Sequence, residues 1–265
     1  MLNNKSLLLI GKHSFIASYI YADLKNKINI KKISFEKFLK SKKNFLKKFN
    51  YICNCSITKN YIRNKYQLKN DLDYFIIKKI KKLKIKYIFL SSRKIYKPMP
   101  NLKEGSIKKP RDNYAKNKLI TENFIQKNLK NKFIILRISN LIGKPLDNVS
   151  KRKNSKTFID NFFNFKKNEI VIYNNHFKDF LSIKQFTKIF YYILKKNLNG
   201  IYNLSLGEKI YIEEIINALN KNRNIIFKKK RITKNDSFYL NNKKLLKKLN
   251  LRVSKKDLID YCSKI

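Results

Sequence analysis

The 265-residue chain lacks a long apolar run. No apolar segment approaches the roughly 20 residues that a membrane-spanning helix needs. The first apolar stretch, Ser6–Ile10, resembles the middle of a signal peptide, but Gly11, Lys12 and His13 interrupt it after five residues. We therefore interpret this stretch as a first strand and expect a cytoplasmic protein with no membrane partner.

Cysteine and histidine are scarce, with three and two residues in the chain. Cys53 and Cys55 are two apart on a predicted strand and so face the same side, an arrangement typical of packed thiols. His13 and His176 stand alone, and no group of cysteines and histidines has the spacing of metal ligands. The sequence therefore predicts no metal site, and its few cysteines fit a cytoplasmic location.

Acidic residues are also few, with 17 Asp and Glu against 63 Lys and Arg and a net charge of +46. The chain has only 5 Gly and 4 Pro but is rich in Lys, Asn, Ile, Phe and Tyr. This composition is typical of a coding sequence biased toward A and T. Such a bias explains the lysines, but nothing in the sequence explains the lack of acids. Because the lysines are spread along every segment, they predict a diffuse field that attracts nucleotide ligands and binds nucleic acid without sequence preference.

The chain does contain a regular alternation of short apolar runs with longer segments of helical spacing. This alternation is typical of a parallel sheet covered by helices on both faces, and it predicts an α/β fold of the doubly wound, Rossmann type. The predicted strands are 7–10, 28–33, 51–55, 87–91, 133–139 and 200–204. The predicted helices are 15–25, 66–83, 114–127, 183–194, 212–219 and 243–249.

The composition changes after Ser139, where shorter elements replace the regular alternation. No internal repeat is present, so we predict a small C-terminal lobe rather than a second independent domain. The predicted dinucleotide-binding domain comprises residues 1–140 and about 182–198, and the predicted substrate lobe comprises about 141–181 and 199–265.

A strand, a tight turn and a helix start follow one another near the beginning of the chain. In dinucleotide-binding turns, the first of three small residues allows the bend, the second lets the backbone approach a pyrophosphate, and the third lets the helix pack on the strand. These places hold Gly11, Ser14 and Ala17, so a hydroxyl that can donate to a phosphate stands where glycine is usual. The second strand and the residue after it, Ile30–Ser34, contain no acid to hold a ribose diol, which favours NADP over NAD.

A serine pair, Ser91 and Ser92, ends the fourth predicted strand, and Tyr114 with Lys118 follows after a loop. A hydroxyl, a tyrosine and a lysine are the groups that hydride transfer at a carbinol carbon needs, because the tyrosine moves the proton, the lysine stabilises its phenolate and the serine fixes the oxygen. Seven tyrosines have a lysine four residues later, so the spacing alone is weak evidence. Tyr114 alone follows a serine pair at a strand end and opens a helix, just after Asp112.

Five landmarks give the chain its resemblance to a known family. They are YICNC at 51–55, SSRKIY at 91–96, LRISNLIG at 136–143, DFLSI at 179–183 and GIYNLSLG at 200–207. In this order they resemble the extended short-chain dehydrogenase/reductases of the NAD-dependent epimerase/dehydratase family, whose members act mostly on nucleotide sugars. The resemblance implies that Ser92, Tyr114 and Lys118 are catalytic and that Ser92 and Asn140 meet the substrate, although Asn140 fits a turn-capping role equally well. It implies a cofactor site formed by Gly11, Ser14, Phe15, Ile16, Asn54, Cys55, Ser56, Ser91, Tyr114, Lys118 and Ser139.

The resemblance also bears on the reaction and the partners. Members that dehydrate a hexose carry an Asp-Glu pair just after the strand-end hydroxyl, where this chain has Arg93 and Lys94, so we expect ketone reduction or epimerisation rather than elimination. The implied ligands are NADP or NAD and a nucleotide sugar, in surface polysaccharide synthesis, and a homodimer is compatible with the family. Ser14, Lys97 and Lys178 replace residues common in the family, which leaves an inactive dinucleotide-binding relative with a regulatory or scaffolding role as the alternative.

Overall fold

The computed structural model describes residues 5–147, 169–173, 176–221, 226–230 and 237–265. The strands are β1 (Ser6–Ile10), β2 (Asn29–Ile33), β3 (Tyr51–Asn54), β4 (Lys86–Ser92), β5 (Phe133–Ile138), β6 (Asn140–Ile142), β7 (Glu169–Tyr173), β8 (Phe177–Lys178), β9 (Phe180–Ser182), β10 (Gly200–Leu204), β11 (Ile210–Tyr211) and β12 (Ile226–Lys230). The helices are α1 (Phe15–Leu24), α2 (Phe35–Lys40), α3 (Lys43–Leu46), α4 (Lys59–Arg63), α5 (Leu72–Ile80), α6 (Asn113–Leu129), α7 (Ile183–Lys195), α8 (Ile212–Leu219), α9 (Lys243–Leu249) and α10 (Lys255–Ser263), with 3-10 helices at Leu68–Asn70 and Arg93–Ile95. No helix within these ranges has the length and apolar character needed to cross a bilayer.

Six parallel strands form the central sheet, in the order β2-β1-β3-β4-β5-β10. The chain moves from β1 to β2 on one side and then crosses to β3 on the other side of β1, so the strand order reverses between β1 and β3. Ligands of such sheets bind outside the carboxyl ends of the strands at this reversal. A dinucleotide is therefore expected at the carboxyl ends of β1 and β3.

Alternate residues of each central strand pack into two separate cores. Leu7 and Leu9 of β1 belong to one core, which α1 and α7 complete. Leu8 and Ile10 belong to the other core, which α2, α5 and α6 complete. Parallel strands buried on both faces consist of nearly continuous apolar runs, which is why the sequence pattern identifies them. The predicted α/β fold with a doubly wound parallel sheet is confirmed.

Local capping decides where several helices begin. The predicted helix 66–83 begins only at Leu72, because the Asp71 side chain accepts a hydrogen bond from the Tyr74 backbone N–H (3.2 Å) and caps the helix there. Two short helices that the sequence patterns missed, α2 and α4, are capped in the same way by Ser34 and Thr58. Helices of one or two turns are too short to show apolar periodicity, so the capping residue is their clearer signal.

The chain after β5 builds small paired elements and then returns to the sheet. α7 packs against α1, and β10 pairs with β5 as an edge strand of the central sheet, although the predicted division assigns residues 199–265 to the lobe. The buried Asp179 carboxylate accepts hydrogen bonds from the backbone N–H groups of Leu206, Gly207 and Leu240 (3.0, 3.2 and 3.0 Å), and burial raises its pKa to about 7. Residues 148–168, 174–175, 222–225 and 231–236 lie outside the described ranges, and the division into domain and lobe stays a prediction.

Candidate active site

The turn between β1 and α1 places the N-terminus of α1 where the strand order of the sheet reverses. Gly11 has a φ of +106°, a left-handed conformation that side chains disfavour. Its N–H donates to the Ile33 carbonyl (2.9 Å), and its own carbonyl accepts from the Ser14 N–H (2.9 Å), which closes the turn. Ser14 then caps α1, because its Oγ accepts from the Ala17 N–H (3.3 Å). The hydroxyl proton of Ser14 remains available to a ligand, so serine in place of glycine is compatible with an anion at this position.

The residues after β3 pass directly beside Gly11. A Cβ at Gly11 would lie 2.5 Å from Ser56 Oγ and 3.0 Å from Ser56 N. Asn54 holds this segment in place, because its Oδ1 accepts from the Ser56 N–H (2.9 Å), and the Cys55 N–H donates to the Ile10 carbonyl (2.8 Å). The structure therefore brings Gly11 together with the segment from Asn54 to Ser56, and their contact with a dinucleotide stays a prediction.

Gly11→Ala is expected to weaken dinucleotide binding by about tenfold or more. The added methyl group meets Ser56, and the positive φ strains any side chain, so the turn must open. Fluorescence titration with NAD and NADP measures the affinity. Gly105→Ala is the matched control, because a Cβ at Gly105 meets nothing within 4 Å. Equal affinities of the two variants would place the cofactor elsewhere.

Two buried hydroxyl groups near the ends of neighbouring strands have no hydrogen-bond partner within the described residues. They belong to Ser91 on β4 and to Ser139, which directly follows β5. Because Ser91 lies opposite Arg137 in the parallel pair of β4 and β5, both hydroxyl groups lie at the carboxyl edge of the sheet. A buried polar group without a partner costs about 1–3 kcal/mol. A polar ligand at Ser91 and Ser139 would remove that cost, so these residues fit a cofactor.

The turn after β4, which begins at Ser92, packs against the helix that carries Tyr114. Ser92 Oγ caps the 3-10 helix Arg93–Ile95 by accepting from the Lys94 N–H (3.3 Å), and this short helix packs against α6. Asp112 caps the start of α6. The Lys94 ammonium joins the two segments, since it pairs with Asp112 (2.9 Å) and lies 5.9 Å from the centre of the Tyr114 ring. Lys94 therefore joins the turn that carries Ser92 to the start of the helix that carries Tyr114, and a direct approach of Ser92 to Tyr114 stays a prediction.

Lys118 lies one helical turn after Tyr114 and is buried. Its Nζ lies 4.4 Å from the ring centre of Phe89, 5.6 Å from that of Tyr61 and 5.9 Å from that of Tyr114. A charge held against aromatic faces and away from water is only weakly screened. The ammonium therefore lies where it can act on the phenol of Tyr114.

A buried ion pair that the sequence reasoning missed joins α6 to β5. The Arg137 guanidinium donates to both carboxylate oxygens of Glu122, at 3.1 Å from Nε to Oε1 and 2.7 Å from Nη2 to Oε2, and both side chains are fully buried. Its Nη1 also donates to the Tyr96 hydroxyl (2.8 Å) and to the Glu104 carbonyl (2.7 Å). The sequence signal for this ion pair is Arg137 itself, a single charged residue in the otherwise apolar strand β5. This pair fixes the helix that carries Tyr114.

The remaining predicted site residues lie at the starts of β6 and α1. Asn140 begins β6, and its Nδ2 donates to the Asp179 carbonyl (3.0 Å), which agrees with the turn-capping alternative and leaves its contact with a substrate a prediction. Phe15 and Ile16 open α1. The Phe15 side chain is buried, and the contact of Phe15 and Ile16 with a dinucleotide stays a prediction.

Fold and site together describe a dinucleotide-binding α/β protein with a serine, a tyrosine and a buried lysine near one strand end. The chain belongs to the NAD dependent epimerase/dehydratase family, whose model matches residues 43–205. The family predicted from the sequence landmarks is thereby confirmed, and so is a nicotinamide dinucleotide as the cofactor. Among curated proteins, none matches the chain significantly in sequence.

Solved structures, among them enzymes that are named for a nucleotide sugar, share the fold over nearly the whole chain. A UDP-N-acetylglucosamine 4-epimerase from Methanobrevibacter ruminantium, in complex with UDP-N-acetylmuramic acid, has 20% identity and a TM-score of 0.77, with 99% of this chain and 97% of that chain covered. A dTDP-4-dehydrorhamnose reductase from Clostridium acetobutylicum has 15% identity and a TM-score of 0.77, with 97% and 98% covered. RMD from Pseudomonas aeruginosa, complexed with NADPH, has 13% identity and a TM-score of 0.76, with 98% of each chain covered. At these identities the likeness shows a common fold.

Proposed function

We propose that the chain transfers hydride between a nicotinamide dinucleotide and a carbinol or ketone carbon of a nucleotide sugar, as a reductase or an epimerase. The observation that supports this most is the buried Lys118 ammonium 5.9 Å from the centre of the Tyr114 ring. An epimerase and a reductase are among the solved structures with the same fold. The proposal includes the cytoplasmic location and the role in surface polysaccharide synthesis that the sequence predicts.

Tyr114 is the acid and base of the proposed reaction. A free tyrosine titrates near pH 10, so a tyrosine without help offers little phenolate at neutral pH. A unit positive charge about 4 Å away stabilises a phenolate by roughly 4 kcal/mol at an effective dielectric constant of about 20. Lys118 supplies a positive charge 5.9 Å from the centre of the Tyr114 ring, and at that distance the same relation gives roughly 3 kcal/mol. The Tyr114 hydroxyl then gives or takes the proton at the substrate oxygen, which the Ser92 hydroxyl holds by a hydrogen bond.

The proposed cofactor site follows the carboxyl ends of β1, β3, β4 and β5. It is formed by Gly11, Ser14, Phe15, Ile16, Asn54, Cys55, Ser56, Ser91, Tyr114, Lys118 and Ser139. The turn at Gly11 offers the N-terminus of α1 to the pyrophosphate, and the hydroxyl groups of Ser91 and Ser139 gain partners. When bound, the nicotinamide ring supplies or accepts the hydride.

Arg93 and Lys94 restrict the proposed reaction. Elimination from a hexose needs a further acid and base near the strand-end serine, and these two positions are basic. Both side chains are engaged, since the Arg93 guanidinium lies 3.6 Å from the centre of the Phe238 ring and Lys94 pairs with Asp112. We therefore propose reduction or epimerisation, which need no additional acid and base pair.

Turnover of a panel of nucleotide sugars tests the proposal. Loss of reduced-cofactor absorbance with 4-keto sugars would identify a reductase, and chromatographic separation of UDP-hexose epimers would identify an epimerase. We expect the wild-type chain to turn over members of one class and Tyr114→Phe to turn over none. Tight dinucleotide binding with no turnover of any sugar would overturn the proposal and favour the inactive, regulatory relative.

A further inference from the structure

A cavity of about 470 Å³ lies at the amino edge of the central sheet. Its volume is typical of small-molecule sites. Residues at or just before the starts of β1, β3, β4 and β5 line it, together with Asn197 from the segment between α7 and β10. Lys5 directly precedes β1, whereas Gly11 directly follows it. Because a strand rises about 3.3 Å per residue, the cavity lies about 20 Å from the candidate dinucleotide turn, at the opposite edge of the sheet.

Four lysines line this cavity, which we call the lysine cavity, and they are Lys5, Lys84, Lys86 and Lys132. None of the eight described residues in its lining is acidic. The strands β1, β3, β4 and β5 are neighbours in this order, and neighbouring strands lie about 4.8 Å apart. The starts of β1 and β5 are therefore about 14 Å apart, a span that long lysine side chains can bridge around one ligand.

Two of the ammonium groups hold the end of α7 against the sheet. Lys5 Nζ donates to the carbonyls of the last two residues of α7 (2.5 and 3.1 Å). Lys86 Nζ donates to the Asn197 and Leu198 carbonyls (2.9 and 2.8 Å) and to Asn197 Oδ1 (2.8 Å). Since an ammonium has three N–H groups, Lys86 is saturated, whereas Lys5 has one N–H that no described residue accepts.

The other two ammonium groups take no part in capping α7. Lys132 Nζ donates to the Lys81 and Leu83 carbonyls (2.8 and 3.0 Å), which leaves one N–H without an acceptor in the described ranges. Lys84 directly follows Leu83 and is exposed, and its ammonium makes no hydrogen bond or ion pair with the part of the chain that the structure describes. The packing of α7 therefore explains Lys5 and Lys86, but it does not explain Lys84 and Lys132.

The lysine cavity holds positive charges close together. Burial lowers the pKa of Lys5. Burial also lowers the pKa of Lys86, and the charge of Lys5 lowers it further. Withdrawing an ammonium from water and placing it near another one is unfavourable. An anion in the cavity would offset both effects and would accept the remaining N–H groups.

We propose that the lysine cavity binds a small anion of the diphosphate class, at a site separate from the candidate dinucleotide crevice. Lys5, Lys84 and Lys132 donate to its phosphate oxygens, because lysine binds phosphate as a point charge. A diphosphate offers oxygens on two phosphorus atoms, so it can meet ammonium groups from the starts of three strands. Lys5 and Lys132 are already anchored and lose little freedom on binding, which distinguishes the cavity from exposed lysines elsewhere on a chain of net charge +46. This binding does not depend on the proposed reaction.

Calorimetric titration with inorganic pyrophosphate tests the proposal. At an ionic strength of about 0.15 M, attraction by scattered surface charges is screened beyond about 8 Å. We expect a saturable site in the wild-type chain and also in Gly11→Ala, since Gly11 lies at the other edge of the sheet. Lys84→Gln should weaken this site about tenfold or more, because it removes a charged donor. Lys132→Gln should weaken it as well.

Lys82→Gln is the matched control. It removes the same charge two residues from Lys84, and Lys82 is exposed and lies outside the cavity lining. The control should keep the wild-type affinity to within about twofold. Equal weakening in Lys82→Gln and Lys84→Gln would mean an adventitious ion only, held by the general field of the chain. Binding that is lost in Gly11→Ala but kept in Lys84→Gln would place the pyrophosphate at the dinucleotide turn. Either result would overturn the proposal.

Amine labelling tests the site without any substitution, so it remains decisive if a variant fails to fold. With an amine-reactive reagent and site-resolved mass spectrometry, saturating pyrophosphate should slow the labelling of Lys84 and Lys132 several-fold and leave Lys82 unchanged. Equal protection of all three lysines, or protection of none, would overturn the site. Inorganic orthophosphate at equal ionic strength should protect less than pyrophosphate, and equal protection by the two anions would overturn the diphosphate class.

Discussion

Tyr114→Phe is expected to lose nearly all turnover and to keep its affinity for the dinucleotide. The substitution removes only the phenolic hydroxyl that the proposed reaction uses for proton transfer, and such a group contributes about 10²- to 10⁴-fold to a rate. The ring remains, so its contacts with the Lys94 and Lys118 ammonium groups are kept. Steady-state kinetics measures kcat, and fluorescence titration measures the Kd of NAD and NADP.

Tyr191→Phe is the matched control for this experiment. Tyr191 also has a lysine four residues later, but it lies on α7, where its ring meets the Lys27 ammonium at 5.4 Å. We expect the control to keep the wild-type rate. If Tyr114→Phe kept its rate as well, or if both variants lost it equally, Tyr114 would have no special part in the chemistry.

The placement of Gly11 and Ser92 along one edge of the sheet could be predicted from sequence because parallel topology dictates it. Carboxyl ends of parallel strands share an edge, so a glycine after the first strand and a serine at the end of the fourth must both lie along it. The predicted strands agree with β1, β2, β3, β4, β5 and β10 to within one residue at either end. For β1, β3, β4 and β5 this accuracy follows from burial on both faces, which leaves few polar residues within a strand.

The buried charge pair of Glu122 and Arg137 could not be predicted in the same way. The two residues lie on different elements, α6 and β5. Each acid has 63 cations in the chain as potential partners, and tertiary packing alone decides which pair is buried. Local propensity carries no information about such a choice. The late start of α5 has a similar cause, because Asp71 acts as a cap only where the backbone turns.

Glu122→Ala is expected to lower the free energy of unfolding by about 3–5 kcal/mol. The substitution leaves the Arg137 guanidinium fully buried without a carboxylate. Its other partners, the Tyr96 hydroxyl and the Glu104 carbonyl, are neutral and cannot balance its charge. Urea denaturation followed by circular dichroism measures the change. Because the ion pair joins α6 to β5, the variant should also lose activity at temperatures where it is still folded.

Two comparisons separate the effect of an unpaired buried charge from the general effect of breaking an ion pair. Lys184→Ala breaks the partly exposed pair with Asp23 and should change the free energy of unfolding by less than about 1 kcal/mol. Combining Glu122→Leu with Arg137→Met removes both charges, so it should destabilise less than Glu122→Ala alone even though it loses more hydrogen bonds. If the double variant were as unstable as the sum of its parts, packing rather than an unpaired charge would explain the loss. A loss below about 1 kcal/mol in Glu122→Ala would mean that the helix carrying Tyr114 is held by its apolar contacts alone.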